Sequence, residues 1–363
     1  MNPSHDLHAT GQRLWLDNIT KDLIDSGTLA RYIDDLHVTG VTSNPTILQK
    51  AISAGDDYDE AIRSVLADGP ISAEALIFTI ALQDLVAAAD LLRGVFDASG
   101  GADGYVSVEV SPDLADDADG TVAAGQELFF LADRPNVMIK VPGTAAGLVA
   151  VEELITVGIP VNVTLLFSTE HYEAAAGAYL RGLERRLAEG LPLPVGSVAS
   201  VFVSRWDAAA DPLLPAELAS TTAMAVMRRV YASYRRLLAG ERWRPLAEAG
   251  ALPQKVLWAS TGTKNPDLPD TFYVGRLAAP GTVDTIPEPT LLAFADHGAV
   301  GDLLDSDTTE ADGVLGAVEV AGVDVAALGA QLQLEGAAAF RASWAELVAC
   351  VQNRVDELQP VAQ

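Results

Sequence analysis

The residues most able to do chemistry cluster in Arg134-Pro-Asn-Val-Met-Ile-Lys-Val-Pro-Gly-Thr144. This stretch reads as a short buried strand, Val137 to Val141, a turn at Pro142-Gly143 and a helix opening at Thr144. The chain has five lysines, Lys21, Lys50, Lys140, Lys255 and Lys264. Lys140 alone has apolar neighbours on both sides near a strand's C-terminal end. An ammonium in such a place is costly to bury unless it is paired or loses its proton. Amine nucleophiles exploit that cost, so the chemistry to expect is Schiff-base formation with a carbonyl. The competing reading is a strand-end lysine that buries its stem and carries its head to solvent or to a carboxylate.

Polar residues also stand at the ends of the other expected strands. Asp17-Asn18 closes the first and Thr42-Ser-Asn-Pro45 the second. Glu109 shares a face with Ser107, and Asn162 shares one with Thr164, by the two-residue period of a strand. Ser200 and Phe202 share a face on the sixth, with Arg205 just beyond it, and the seventh runs into Ser260-Thr-Gly-Thr-Lys-Asn265. Unpaired polar groups in a core cost stability. Seven strand ends agreeing therefore point to a site. The set holds an amine nucleophile (Lys140), two carboxylates for proton transfer (Asp17, Glu109), hydroxyl and amide groups for a polyol, and two cations for a phosphate (Arg205, Lys264).

These residues need a scaffold, and the chain alternates short β-rich runs with longer helical patterns. That alternation implies parallel strands joined by crossover helices. The expected strands are Arg13–Asp17, Gly40–Ser43, Gly104–Val110, Val137–Val141, Pro160–Leu165, Ser197–Val203, Lys255–Ala259 and Thr282–Ile286. Eight of them suggest a closed (β/α)8 barrel, an α/β fold in one domain, over about residues 13–297. Active sites of such barrels lie at the C-terminal ends of the strands. An open doubly wound sheet is the alternative. No Gly-x-Gly-x-x-Gly follows the first strand, which weakens a dinucleotide-binding version of it.

Helical patterns span Ile71–Phe96 and Glu217–Leu238. The latter carries Arg228-Arg229 and Arg235-Arg236, read as a solvated helix face. A Gly/Asp-rich linker, His297 to Gly316, leads to a helical extension over about 298–358 and a last helix, Val325–Leu358. Phe340, Trp344, Leu347, Val351 and Val355 form one apolar stripe, expected to pack on the barrel wall. Cys350 beside it reads as an inert core thiol.

Composition narrows the function. Net charge is -27, which disfavours nucleic acid, since phosphate backbones are bound by basic patches. The same field repels a phosphate ester, so such a substrate needs a local cationic pocket. No run of about 18 apolar residues announces a membrane span. The N-terminal residues lack a signal pattern, and a single cysteine excludes a disulfide framework. Cytoplasm is the expected compartment. The five histidines lack ligand spacing, so no metal site is expected. Gly100-Gly101 reads as a turn, and Asp116-Asp117-Ala-Asp119 as a helix start.

The ordered pieces Leu14-Trp-Leu-Asp17, Val41-Thr-Ser-Asn-Pro45, Val106-Ser-Val-Glu109, Met138-Ile-Lys-Val-Pro142, Asn162-Val-Thr-Leu-Leu-Phe-Ser168 and Ser200-Val-Phe-Val-Ser-Arg205 resemble the transaldolases. The length and the long C-terminal helix resemble their larger bacterial branch. The resemblance implies a class I aldolase barrel that transfers dihydroxyacetone between sugar phosphates without a cofactor, as a monomer or homodimer. It implies that Lys140 forms the Schiff base and that Asp17 takes the C4 hydroxyl proton. Glu109 and Thr164 would position a water for imine formation and hydrolysis. Asn44, Asn162 and Ser200 would hold the dihydroxyacetone unit, and Arg205 a phosphate. At strand seven the chain departs from the family, reading Ala259-Ser-Thr-Gly-Thr-Lys264 where many members place an arginine soon after Ala-Ser. Ser260 and Lys264 are the expected phosphate contacts there. An aldolase releasing free dihydroxyacetone, and a non-catalytic sugar-phosphate-binding barrel, are the competing functions.

Overall fold

Eight strands, all parallel, follow one another around a closed barrel in chain order. They are β1 (Arg13–Leu16), β2 (Val38–Thr42), β3 (Val106–Glu109), β4 (Val137–Pro142), β5 (Val161–Leu166), β6 (Ser197–Phe202), β7 (Lys255–Ala259) and β8 (Val283–Ile286). The computed structural model describes residues 2–358. The expected (β/α)8 architecture is the one found. Strand ends moved by one or two residues, the usual uncertainty of boundaries. β2 starts at Val38, earlier than Gly40, because Val38 pairs with Leu14. Thr282 lies just before β8, its hydroxyl donating to Ala279 O and its backbone carbonyl accepting from Arg13 N.

The strands are buried on both faces and so read as near-continuous apolar runs. Inside the barrel the side chains are layered. At the N-terminal end Arg13 pairs with Asp103 at 3.2 Å, and Lys255 Nζ donates to Ala102 O at 2.6 Å. Trp15 fills the next layer, and Trp15 and Gly40 are partners in register. A Cβ on Gly40 would stand 2.5 Å from the indole, so only glycine admits the ring. Asp17, two residues on, shares the inward face of Trp15 at the C-terminal mouth.

Several expectations about the helices are revised. The helix expected from Ile71 is Ala73–Ala98, started by Ser72, whose hydroxyl accepts from Ala75 N. It is long and apolar enough to cross a membrane by length and composition. Its buried side chains, among them Ile77, Ile80, Leu85 and Leu92, instead pack within the protein. The helix expected from Glu217 starts at Thr222, because Ala216–Leu218 forms a short 3-10 turn. Its Arg228 and Arg229 do not merely face solvent: they pair with Glu310 and Asp312 at 2.7 and 2.6 Å. Those acids lie on a helix, Thr309–Val320, that begins inside the segment expected to be a linker.

The last helix is Val325–Leu358, as expected, but of its stripe only Phe340 packs against the barrel core. Trp344, Leu347, Val351 and Val355 pack with Ile52, Tyr58, Ile62, Leu76, Ile77 and Ile80 in a second apolar cluster. The partners belong to the helices Pro45–Ala54, Asp59–Ala67 and Ala73–Ala98, which follow β2. Cys350 is half-buried at the edge of that cluster, not in the core. Arg354 adds a contact to Asp59 at 2.7 Å, and Gln333 Nε2 donates to Gly143 O and Leu165 O at 3.2 and 3.0 Å. The helix is thereby fixed to the ends of β4 and β5. Residues 337–343 come to stand over the barrel mouth.

Candidate functional site

Register places the reactive groups side by side. Glu109 pairs with Lys140 across β3–β4, Lys140 with Asn162 across β4–β5, and Pro142 with Thr164. Lys140 and Glu109 form an ion pair, with side-chain exposures of only 9% and 10%. Lys140 Nζ also donates to Ser43 O at 3.2 Å. The ammonium expected to be costly is thus paired, as a buried charge must be. The Phe340 ring of the C-terminal helix lies over it, 5.5 Å from Nζ to the centroid.

Asp17 follows β1 and accepts from Thr42 Oγ1 at 2.9 Å and Asn44 Nδ2 at 3.4 Å. Asn44 is also the N-cap of the helix Pro45–Ala54, its side chain accepting from Thr46 N, with Pro45 starting the first turn. One asparagine, just beyond β2, therefore opens a helix and holds the Asp17 carboxylate. Burial raises the Asp17 carboxyl above its usual range, with the Lys140 charge and the Thr42 and Asn44 hydrogen bonds opposing. Glu109 is raised too, chiefly by burial and against the attraction of Lys140. Among the described residues, Glu109 Oε2 and Thr164 Oγ1 are buried with no hydrogen-bond partner.

One cleft of about 240 Å³ gathers Asp17, Asn44, Lys140, Thr164, Ser200, Arg205, Ser260 and Lys264. It opens at the C-terminal ends of the strands. Glu109 lies behind it, against Lys140. Asn162 is placed differently from expectation. It is fully buried, donates to Ser107 Oγ at 3.0 Å and accepts from Ser200 Oγ at 2.6 Å. It is therefore part of the floor that fixes Ser200 and does not line the cleft.

Arg205 sits in the first turn of the helix Ser204–Ala210, its guanidinium 4.9 Å from the Phe202 ring centroid. Lys264 stands exposed at the lip. Burial lowers the Arg205 guanidinium's pKa. Although the residue as a whole is exposed, partial desolvation of its ammonium at the cleft lowers the Lys264 pKa, and the Arg205 charge lowers it further. Two cations that feel each other and share a cleft form a local positive spot in a chain of charge -27. Such a spot suits a dianion. Ser260 holds φ 58°, a left-handed conformation uncommon outside glycine, and its hydroxyl meets Ser204 Oγ at 3.0 Å. The residue lines the cleft with Arg205 and Lys264.

Sequence reasoning missed four contributors. Thr285, facing inward on β8, joins Thr42 Oγ1 at 2.8 Å and lines the cleft; the same two-residue period could have found it. Thr46 and Ser343 bond across the mouth at 3.3 Å. Phe340 was hidden in an apolar stripe, where nothing local distinguishes a core ring from a site ring. Among the described residues, no group of three or more His, Cys, Asp or Glu could hold a metal ion.

Residues 14–351 match the sequence model of the Transaldolase/Fructose-6-phosphate aldolase family. The chain is 47% identical to Transaldolase 1 of Streptomyces coelicolor over 95% of this chain and 93% of that protein. It is 44% identical to the transaldolase of Frankia alni, over 98% of both. It is 45% identical to the transaldolase of Thermobifida fusca, over 96% of both.

Proposed function

The chain belongs to the transaldolase/fructose-6-phosphate aldolase family and is a transferase of the transaldolase kind, and we propose that it works through a Schiff base on Lys140. The observation that carries the proposal is one cleft lined by Lys140 and Asp17 and ending at two cations, with Glu109 behind it in contact with Lys140. The reaction is sedoheptulose 7-phosphate plus glyceraldehyde 3-phosphate giving erythrose 4-phosphate plus fructose 6-phosphate, in the non-oxidative pentose phosphate pathway.

Glu109, whose carboxyl burial makes more basic than usual, takes the Lys140 proton through their direct contact. The free amine attacks the C2 ketone of the ketose phosphate. Glu109 and Thr164 then hold the water that is lost and later regained at C2. Their unpartnered buried oxygens suit that work. The iminium draws electrons from the C3–C4 bond. Asp17, with its carboxyl also raised by burial, takes the C4 hydroxyl proton. An aldose phosphate leaves, and a three-carbon enamine stays on Lys140. An acceptor aldehyde enters, and the steps run backwards.

Asn44 and Ser200 hold the hydroxyls of the three-carbon unit, with Asn162 setting the position of Ser200. Arg205, Lys264 and Ser260 hold the phosphate. Arginine can make a bidentate contact, whereas Lys264 acts as a point charge. We place the activity in the cytoplasm, in a monomer or homodimer without nucleic-acid or membrane partners, with the barrel and C-terminal helices acting as one unit. The test is transfer from fructose 6-phosphate to erythrose 4-phosphate. Appearance of sedoheptulose 7-phosphate, lost in Lys140→Ala, supports the proposal; equal turnover by Lys140→Ala overturns it.

A further inference from the structure

Two cavities reach Lys140, not one. The first is the substrate cleft. The second is a chamber of about 20 Å³ lined by Glu109, Lys140, Thr164, Leu165, Ala337 and Phe340, with other apolar groups. A water needs roughly 10–15 Å³ of such space and two or more polar partners. The chamber therefore has room for one water. Its polar lining residues are Glu109, Lys140 and Thr164, and Glu109 Oε2 and Thr164 Oγ1 are buried oxygens with no hydrogen-bond partner among the described residues.

Three side chains face both cavities: Lys140, Thr164 and Phe340. Lys140 and Thr164 are polar and take part in the chemistry. Phe340 is the apolar one, and its helix is anchored on both sides of it. Gln333, two helical turns before it, is bonded to the ends of β4 and β5. Trp344 and Leu347, just after it, are held in the second apolar cluster. The helix also approaches the barrel closely at Gly336, where a Cβ would stand 3.1 Å from Leu165 and 3.5 Å from the Arg205 guanidinium.

We propose that Phe340 is a wall that confines the single water of imine chemistry to the Glu109–Thr164 chamber and keeps it from the enamine carbon. This rests on the Schiff-base reading above and extends it to the choice between transfer and release. Release needs one water in total. The enamine C3 gains a proton, water adds to C2, and the C–N bond breaks to give dihydroxyacetone and the Lys140 amine. A water confined near C2 serves imine formation and hydrolysis. It does not protonate C3 while an apolar ring covers that side. Excluding water from a reactive intermediate is a recognised way to suppress such side reactions. Phe340 is a positioning residue here, since it acts by shaping where the water stands.

The test uses fructose 6-phosphate with and without erythrose 4-phosphate. The readout is free dihydroxyacetone released relative to sedoheptulose 7-phosphate formed. Phe340→Ala joins the cavities, and the ratio is expected to rise on the order of tenfold. A fully positioned proton donor gives about 10²–10⁴, and a loose water gives less. Phe340→Leu, still apolar, stays near the parent ratio. An unchanged ratio in Phe340→Ala, with both rates slowed alike, overturns the proposal. Ala337→Val tests the chamber without touching the cleft. It fills the space, so single-turnover adduct formation slows by roughly tenfold, as loss of a positioned water implies, while the release-to-transfer ratio holds. An unchanged adduct rate overturns the chamber assignment. Borohydride reduction of the parent separates this failure from that of the underlying reading. A Lys140 adduct with an unmoved ratio removes only the wall, whereas no Lys140 adduct removes the Schiff base itself.

Discussion

Asp284→Asn tests the energetics of the barrel apart from catalysis. Asp284 is fully buried on β8, next to Trp258 in register. Its Oδ1 accepts from Thr261 Oγ1 at 2.8 Å. Its Oδ2 and the Trp258 indole N–H have no partner among the described residues. Burial pushes its carboxyl up to about 7, against roughly 3.9 in an unfolded chain. The folded state thus holds the proton more tightly. The favourable contribution is complete below about pH 4 and is lost as pH rises through about 7. The whole swing is about 4 kcal/mol at about 1.36 kcal/mol per pKa unit, of which roughly 2–3 kcal/mol falls between pH 5 and 8. Asparagine keeps the acceptor for Thr261 and cannot ionise. Urea midpoints of both proteins at several pH values give the readout. The variant should gain on the parent by about 2–3 kcal/mol between pH 5 and 8. A constant offset is no test, because the new amide brings a donor of its own. Asp17 and Glu109 titrate in both proteins and cancel. Parallel pH profiles would refute the reasoning.

The other predictions concern the site. Asp17→Asn should form the imine and fail to cleave it, so reduction traps a six-carbon adduct; a normal cleavage rate contradicts the assignment. Arg205→Ala should raise KM for fructose 6-phosphate by roughly 10–100-fold, the loss of a charge-assisted contact of about 1.5–3 kcal/mol. It should spare unphosphorylated dihydroxyacetone donors, and an equal effect on both kinds speaks against a phosphate role. Leu347→Ala removes a buried anchor of the C-terminal helix at a cost of about 2–5 kcal/mol. Hydrogen exchange should quicken across residues 325–358 and activity should fall, while the circular dichroism of the barrel persists. Unchanged exchange in that helix contradicts its anchoring by the second cluster.

The barrel was legible because its strands are short apolar runs set off by turns, and that pattern has one economical closure. The site was legible for a related reason. Asp17, Glu109, Lys140, Thr164 and Ser200 each interrupt an apolar run near a strand end, where a polar group needs a purpose. Asn162 broke the same rule for a structural reason, since it ties Ser107 to Ser200. The local pattern cannot separate a lining group from a floor group, because both face inward. The C-terminal helix was legible as a helix but not in its placement. An apolar stripe states that something covers it, not what. Trp344 and Leu347 meet helices inserted after β2, and that contact depends on chain distant in sequence. Phe340 belongs to the site for the same non-local reason. Arg228 and Arg229 illustrate it on the surface, since their partners, Glu310 and Asp312, lie about eighty residues away.

The central claim is that Lys140 carries a three-carbon intermediate. Incubation with fructose 6-phosphate, borohydride reduction, digestion and mass mapping test it in one experiment. The account predicts a dihydroxyacetone-derived mass on the peptide bearing Lys140 and nowhere else. A folded, active protein with no adduct on Lys140, or with the adduct on another lysine, would contradict it.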